Sequence, residues 1–124
     1  MPPLYSTDHT WIDASDPAHA VVGISPHAQD TLGDIVFVEL PALDAHVAQG
    51  TPAGVAESVK AASDVVAPAS GTVVAVNEAL RADPSLANSE PLGAGWFYAI
   101  RLDEPAALSH LLDDAAYAAL LSSS

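Results

Sequence analysis

Short apolar runs rich in Val, Ile and aromatic residues, broken at close intervals by Gly and Pro, fill most of this 124-residue chain. Such punctuation is the pattern of a compact all-β protein. It predicts strands at 10–13, 20–23, 34–39, 54–58, 62–67, 71–76 and 96–101. Helical pieces interrupt them. Ser25 stands before Pro26 as an N-cap stands before a proline in the first turn, and Gly33 is placed to end that helix after Leu32. Asn77 is placed to cap a second helix over 78–82, with Pro84 stopping it. In the tail, 105–121, Leu108, Leu111, Leu112, Ala115, Ala119 and Leu120 recur near helical spacing, and Asp113 is available to cap a second segment. That stripe is expected to fold back over the sheet as core packing.

The centre of the chain carries a weak internal echo. Val36-Phe37-Val38-Glu39-Leu40-Pro41 followed by Gly50 is loosely repeated in Val65-Val66-Ala67-Pro68-Ala69-Ser70-Gly71, and Lys60 lies between the copies. A residue joining two such halves belongs at a hairpin tip, here with 54–58 and 62–67 as its arms. Hairpin tips are exposed on a stiff base, which suits a residue that another enzyme must find and modify.

Composition sharpens this. Sixteen acidic residues against three basic ones give a formal net charge of −13, which opposes binding to nucleic acid and to anionic membrane surfaces. The same charge favours encounter with proteins that present basic docking surfaces. The absence of cysteine removes disulfides, thiolate metal sites and a thiol nucleophile. Apolar stretches such as 35–38 are far shorter than the roughly 20 residues of a membrane span, and Met1-Pro2-Pro3-Leu4 lacks the basic start of a targeting peptide. A cytoplasmic protein of one domain, 1–124, is expected. Its only lysine is Lys60; Arg81 and Arg101 complete the fixed positive charge. Lysine is the side chain that can be acylated on a compact amine at the end of a flexible stem, whereas a guanidinium is a poor acyl acceptor.

Glu57-Ser58-Val59-Lys60-Ala61, then Ser63-Asp64, Pro68 and Ser70-Gly71, resembles the lipoyl-attachment segment of the glycine cleavage system H protein family. Gly23-Ile24, Ala28-Gln29 and the run 32–41 are similar to the family's upstream block. Val76-Asn77, Leu80, Pro84, Leu86, Asn88, Pro91 and Gly95-Trp96 are similar to its downstream block, and Leu111-Leu112 with Tyr117 to its C-terminal helices. General lipoyl domains would show Asp-Lys-Ala at the tip and biotin carriers Met-Lys-Met, and neither is present.

The resemblance implies a mainly β, lipoyl-domain-like fold: a flattened barrel or sandwich of two antiparallel sheets, with short peripheral helices and helices at the C terminus. It implies a carrier and not an enzyme, with lipoate in amide linkage to Lys60. Three partners would share the arm: a pyridoxal phosphate-dependent glycine decarboxylase, an aminomethyltransferase that uses tetrahydrofolate, and a dihydrolipoyl dehydrogenase with FAD and NAD. A lipoate-attaching enzyme would precede them. By motif, Asp64 occupies the family's acidic position after the lysine, and Asp8-His9-Thr10-Trp11 aligns with its Ser-His-Glu-Trp block. Thr10 replaces the glutamate and Asp8 adds a carboxylate, so Asp8, His9 and Asp64 are the candidates for the cleft that shelters the arm. Leu92 stands where the family usually has tyrosine, and a packing difference is expected there.

Three other readings share these residues. Lys60 could serve a carrier that relays lipoate to other enzymes, act as a Schiff-base nucleophile, which needs a desolvated amine, or be incidental in an interaction domain. His9, His19, His27, His46 and His110 lack metal-ligand spacing. Ser58, Ser63 and Ser70 form no triad order, and no phosphate-binding loop is present.

Overall fold

The computed structural model describes residues 3–103 and 111–123. Among the described residues nine strands and four helices follow one another: β1 Leu4–Tyr5, β2 Thr10–Asp13, β3 Ala20–Ile24, α1 Pro26–Leu32, β4 Ile35–Glu39, β5 His46–Val47, β6 Pro52–Ser58, β7 Ala62–Val66, β8 Gly71–Val76, α2 Glu78–Ala82, α3 Leu86–Ser89, β9 Tyr98–Leu102 and α4 Asp114–Ser123. A six-stranded sheet runs β1-β2-β3-β9-β8-β5 and a three-stranded sheet runs β4-β6-β7, every pairing antiparallel. Neither sheet returns to its first strand, so the architecture is two packed sheets and not a closed barrel. Both copies of the internal echo begin on an edge strand of the small sheet, β4 or β7, and then cross to β5 or β8 of the large one.

One face of each sheet packs into a common core, and on β4 a bulge spaces the inward Ile35 and Val38 three positions apart. Ile12, Val22, Val73 and Ile100 from the large sheet meet Ile35, Val38, Ala56 and Val65 from the small one, with Leu80 and Phe97 filling between them. Each such aliphatic or aromatic side chain contributes about 1.5–3 kcal/mol on burial. A second cluster, Tyr5, Trp11 and Tyr117 with Leu112, Leu120 and Leu121 against it, docks the tail on the large sheet. There the Tyr5 and Tyr117 rings stack at 4.4 Å and 5°, and Tyr5 and Leu112 exchange backbone hydrogen bonds of 2.7 Å. Asp113 Oδ1 accepts from the Ala116 amide at 2.8 Å, the capping expected of it. The part of the expected tail helix at 105–110, including Leu108 and His110, lies outside the described residues.

Two expectations need correction. Asn77 does not cap α2 through its side chain; its Nδ2 donates instead to the carbonyls of Ala94 and Trp96, both at 2.8 Å, which ties the loop before β9 to the end of β8. Trp96 therefore belongs to a turn, its N–H on Gly93 O, and the strand starts at Tyr98 and not at 96. Leu92 stands 44% exposed, outside the core. The two-residue strands β1 and β5 and the four-residue α3 carry too few residues to show a period.

Candidate functional site

Lys60 sits in the turn that joins β6 and β7, where Glu57 pairs with Ala62. The turn is closed by Ser58. Its amide donates to Ala61 O at 2.8 Å, while its Oγ accepts from the amides of Lys60 and Ala61 at 3.2 and 3.1 Å and donates to Ala61 O at 3.1 Å. A serine that satisfies its own turn in this way needs no outside partner. Val59 is 73% exposed beside it, and Lys60, Ala61 and Glu57 are exposed too. An amine so placed is not the desolvated nucleophile of a Schiff-base enzyme.

The lysine stem leans over the end of α1. Gly33 ends that helix at φ +81°, and a Cβ added there would meet Lys60 Cε at 3.2 Å and Nζ at 3.7 Å. Glycine thus serves twice, allowing the left-handed turn and leaving room for the stem. Immediately before it, Leu32 begins the wall of a cavity of about 190 Å³, lined also by Asp8, His9, His27, Ala28, Thr31 and Ser63. A single water needs roughly 15 Å³, so the space suits a larger guest. Ala28, Thr31 and Leu32 share a face of α1 at i, i+3 and i+4. Ser25 fixes that helix, its Oγ accepting the Ala28 amide at 3.1 Å.

Opposite α1, the wall is the turn between β1 and β2. His9 holds φ +66°, a conformation histidine tolerates better than most residues, and its carbonyl accepts the Ser25 amide at 2.9 Å. Its ring lies 4.9 Å from that of His27, and His9 Nδ1 is 2.7 Å from the Tyr117 hydroxyl. Burial first, then His27, hold His9 below its ordinary value, while Asp8 pulls the other way. Thr10 is 1% exposed; its Oγ1 donates to Val66 O at 3.0 Å and pairs with Ser6 Oγ at 2.7 Å. Its polar atom is therefore spent on the protein and faces no guest.

The fold brings Asp8, His9 and the Lys60 stem to one end of the molecule. Asp64 stands exposed on β7 opposite Val55, and its neighbour Ser63, not Asp64, lines the cavity. Sequence reasoning did not select His27, Ala28, Thr31, Leu32 or Ser63 for the wall. The i, i+3, i+4 face of a helix without buried residues was the available signal for three of them.

Fold and site together define a small two-sheet β protein that presents a single lysine at a hairpin tip beside a cavity. The Glycine cleavage H-protein family matches residues 3–124, and the chain belongs to that family. It is 51% identical over 113 residues to a glycine cleavage system H protein of Aeromonas salmonicida, covering 91% of this chain and 88% of the relative. To that of Escherichia coli O9:H4 it is 50% identical over 117 residues, covering 94% and 91%. A crystal structure of a glycine cleavage system H protein from Mycobacterium marinum superposes with a TM-score of 0.89 at 38% identity, covering 97% of this chain and 96% of that one.

Proposed function

We propose that Lys60 carries lipoate in amide linkage and that the chain is the aminomethyl carrier of the glycine cleavage system, a cytoplasmic component without catalytic residues of its own. The observation that carries this reading is the placement of the only lysine, exposed at a self-closed turn with its stem lying over Gly33, the residue that follows Leu32 of the cavity wall. The residues fit the group: the amine is accessible to an attaching enzyme, and the cavity beside it can take a flexible guest. When bound, lipoate supplies a dithiol and disulfide pair able to take up and release a one-carbon unit. The chain's own work is to orient and to shield. Ser58 holds the tip, Gly33 leaves the stem its path, and the carboxylate of Asp8 stands in the cavity wall as counter-charge for a protonated amine, with Asp64 outside it.

The partners that fit are glycine decarboxylase, the aminomethyltransferase, dihydrolipoyl dehydrogenase and the lipoate-attaching enzyme. None of the described helices is long and apolar enough to cross a membrane. The absence of cysteine supports the role, since a reduced dithiol would find no thiol on its own carrier to exchange with.

Intact mass after expression in cells supplied with lipoate is the test. One lipoyl addition, abolished by Lys60→Arg with the fold unchanged by circular dichroism, is the expected result. An unmodified mass with a competent ligase present would overturn it. Loading with glycine by the decarboxylase then separates glycine cleavage from simple relay of lipoate.

A further inference from the structure

Behind the cavity wall, three side chains from distant parts of the sequence share one chain of hydrogen bonds. Ser25 Oγ is 2.7 Å from the Tyr117 hydroxyl, and that hydroxyl is 2.7 Å from His9 Nδ1. Proton directions follow from supply. Ser25 is fully buried, and its Oγ already accepts the Ala28 amide, so its own proton has Tyr117 as its partner. Tyr117 then has its proton to give to His9 Nδ1. The reverse order would leave the buried serine proton without an acceptor, at a cost of about 1–3 kcal/mol. We propose that Tyr117 is a positioning residue for the cavity: by donating to His9 Nδ1 it holds that ring neutral with its proton on Nε2, so the wall beside Asp8 offers a neutral N–H instead of a cation.

This rests on the reading of the cavity as the shelter of a cationic guest, beside which an imidazolium would be repulsive. The titratable and charged groups around His9 are few. Asp8 comes from its own turn, His27 from α1 and Tyr117 from α4; Asp114 of α4 acts on Tyr5, whose ring stacks on Tyr117, and Lys60 lies over Gly33. Because His9 titrates below its ordinary 6.5 in the folded state, the folded chain binds fewer protons than the unfolded one. Its contribution to stability is full above that value and is lost as pH falls through the lowered one.

The experiment uses the full lipoylated chain and Tyr117→Phe, which keeps the ring stack on Tyr5 and removes only the hydroxyl. Long-range nitrogen–proton NMR of the His9 ring should show the Nε2–H form in the wild type, and in the variant a tautomer mixture that protonates at higher pH. In parallel, the glycine-loaded form of Y117F should lose its amine about fivefold faster near pH 6, with a smaller difference near pH 8. His9→Asn, which keeps an acceptor near the Nδ1 position, tolerates the left-handed backbone and cannot become a cation, should leave Y117F no further acceleration to add near pH 6. An Nδ1–H ring in the wild type, or an unchanged ring spectrum in Y117F, overturns the proposal. Ser63→Trp, which fills the cavity, separates the two ideas. If S63W speeds the loss and Y117F does not, the positioning role falls alone; if S63W leaves the rate unchanged, the shelter reading falls and takes that role with it.

Discussion

On one side of the cavity the chain turns once, over 58–61, and a single serine hydroxyl holds the turn. On the other, the 6–10 turn is tied to Val66 through Thr10, to the start of α1 through the His9 carbonyl, and to α4 through the His9 ring. The first region is local in sequence and exposed; the second is assembled from segments far apart and partly buried. A residue that other enzymes must reach needs a tip that stands clear of the protein. A wall that must keep water from a guest needs groups whose rotamers are fixed by packing and by distant partners.

That contrast can be broken by experiment. The largest effect is expected from splitting the two carboxylates. If the wall shields the guest, Asp8→Asn should speed loss of the amine from the glycine-loaded chain several-fold, by roughly the tenfold that 1.4 kcal/mol represents, while Asp64→Asn, outside the cavity, changes it far less. Equal rates for the two variants would place the counter-charge elsewhere. Next comes Gly33→Ala, at the seam between the regions. With φ at +81° and the Lys60 stem 3.2 Å from the new Cβ, urea unfolding should show a loss of about 1 kcal/mol, and lipoate attachment should slow because the stem is displaced. The smallest effect belongs to a site that serves neither region. Tyr98 is fully buried, its Oη has no hydrogen-bond partner among the described residues, and burial pushes its phenol above the usual range. Tyr98→Phe should leave attachment and release untouched and raise stability by about 1 kcal/mol; a loss of stability would reveal a partner for that hydroxyl.

The same contrast explains what was legible in the sequence. The hairpin could be read because the two copies of the internal echo and the runs 54–58 and 62–67 flank the only lysine within a short stretch of chain. Strands β2 and β8 were bounded correctly, and Ser25-Pro26 with Gly33 marked α1 at both ends. The wall could not be read that way. His27 and His9 approach only because two paired strands and a cap intervene at a particular register, Ser63 faces the cavity because β7 pairs as it does, and Tyr117 reaches His9 across a separation of 108 positions. No periodicity encodes such meetings. Asn77 shows the converse failure: a residue well suited to capping was drawn to two loop carbonyls that only the folded chain supplies.

Ser25 has a consequence for the chain's dynamics. One hydroxyl both receives the first-turn amide of α1 and meets the phenol of α4, joining positions 92 residues apart. Undocking α4 therefore removes one of the two partners of the group that caps α1, so the first helix and the last are coupled through a single oxygen. The turn that bears Lys60 is closed by its own serine and meets the other end of α1 through the lysine stem over Gly33.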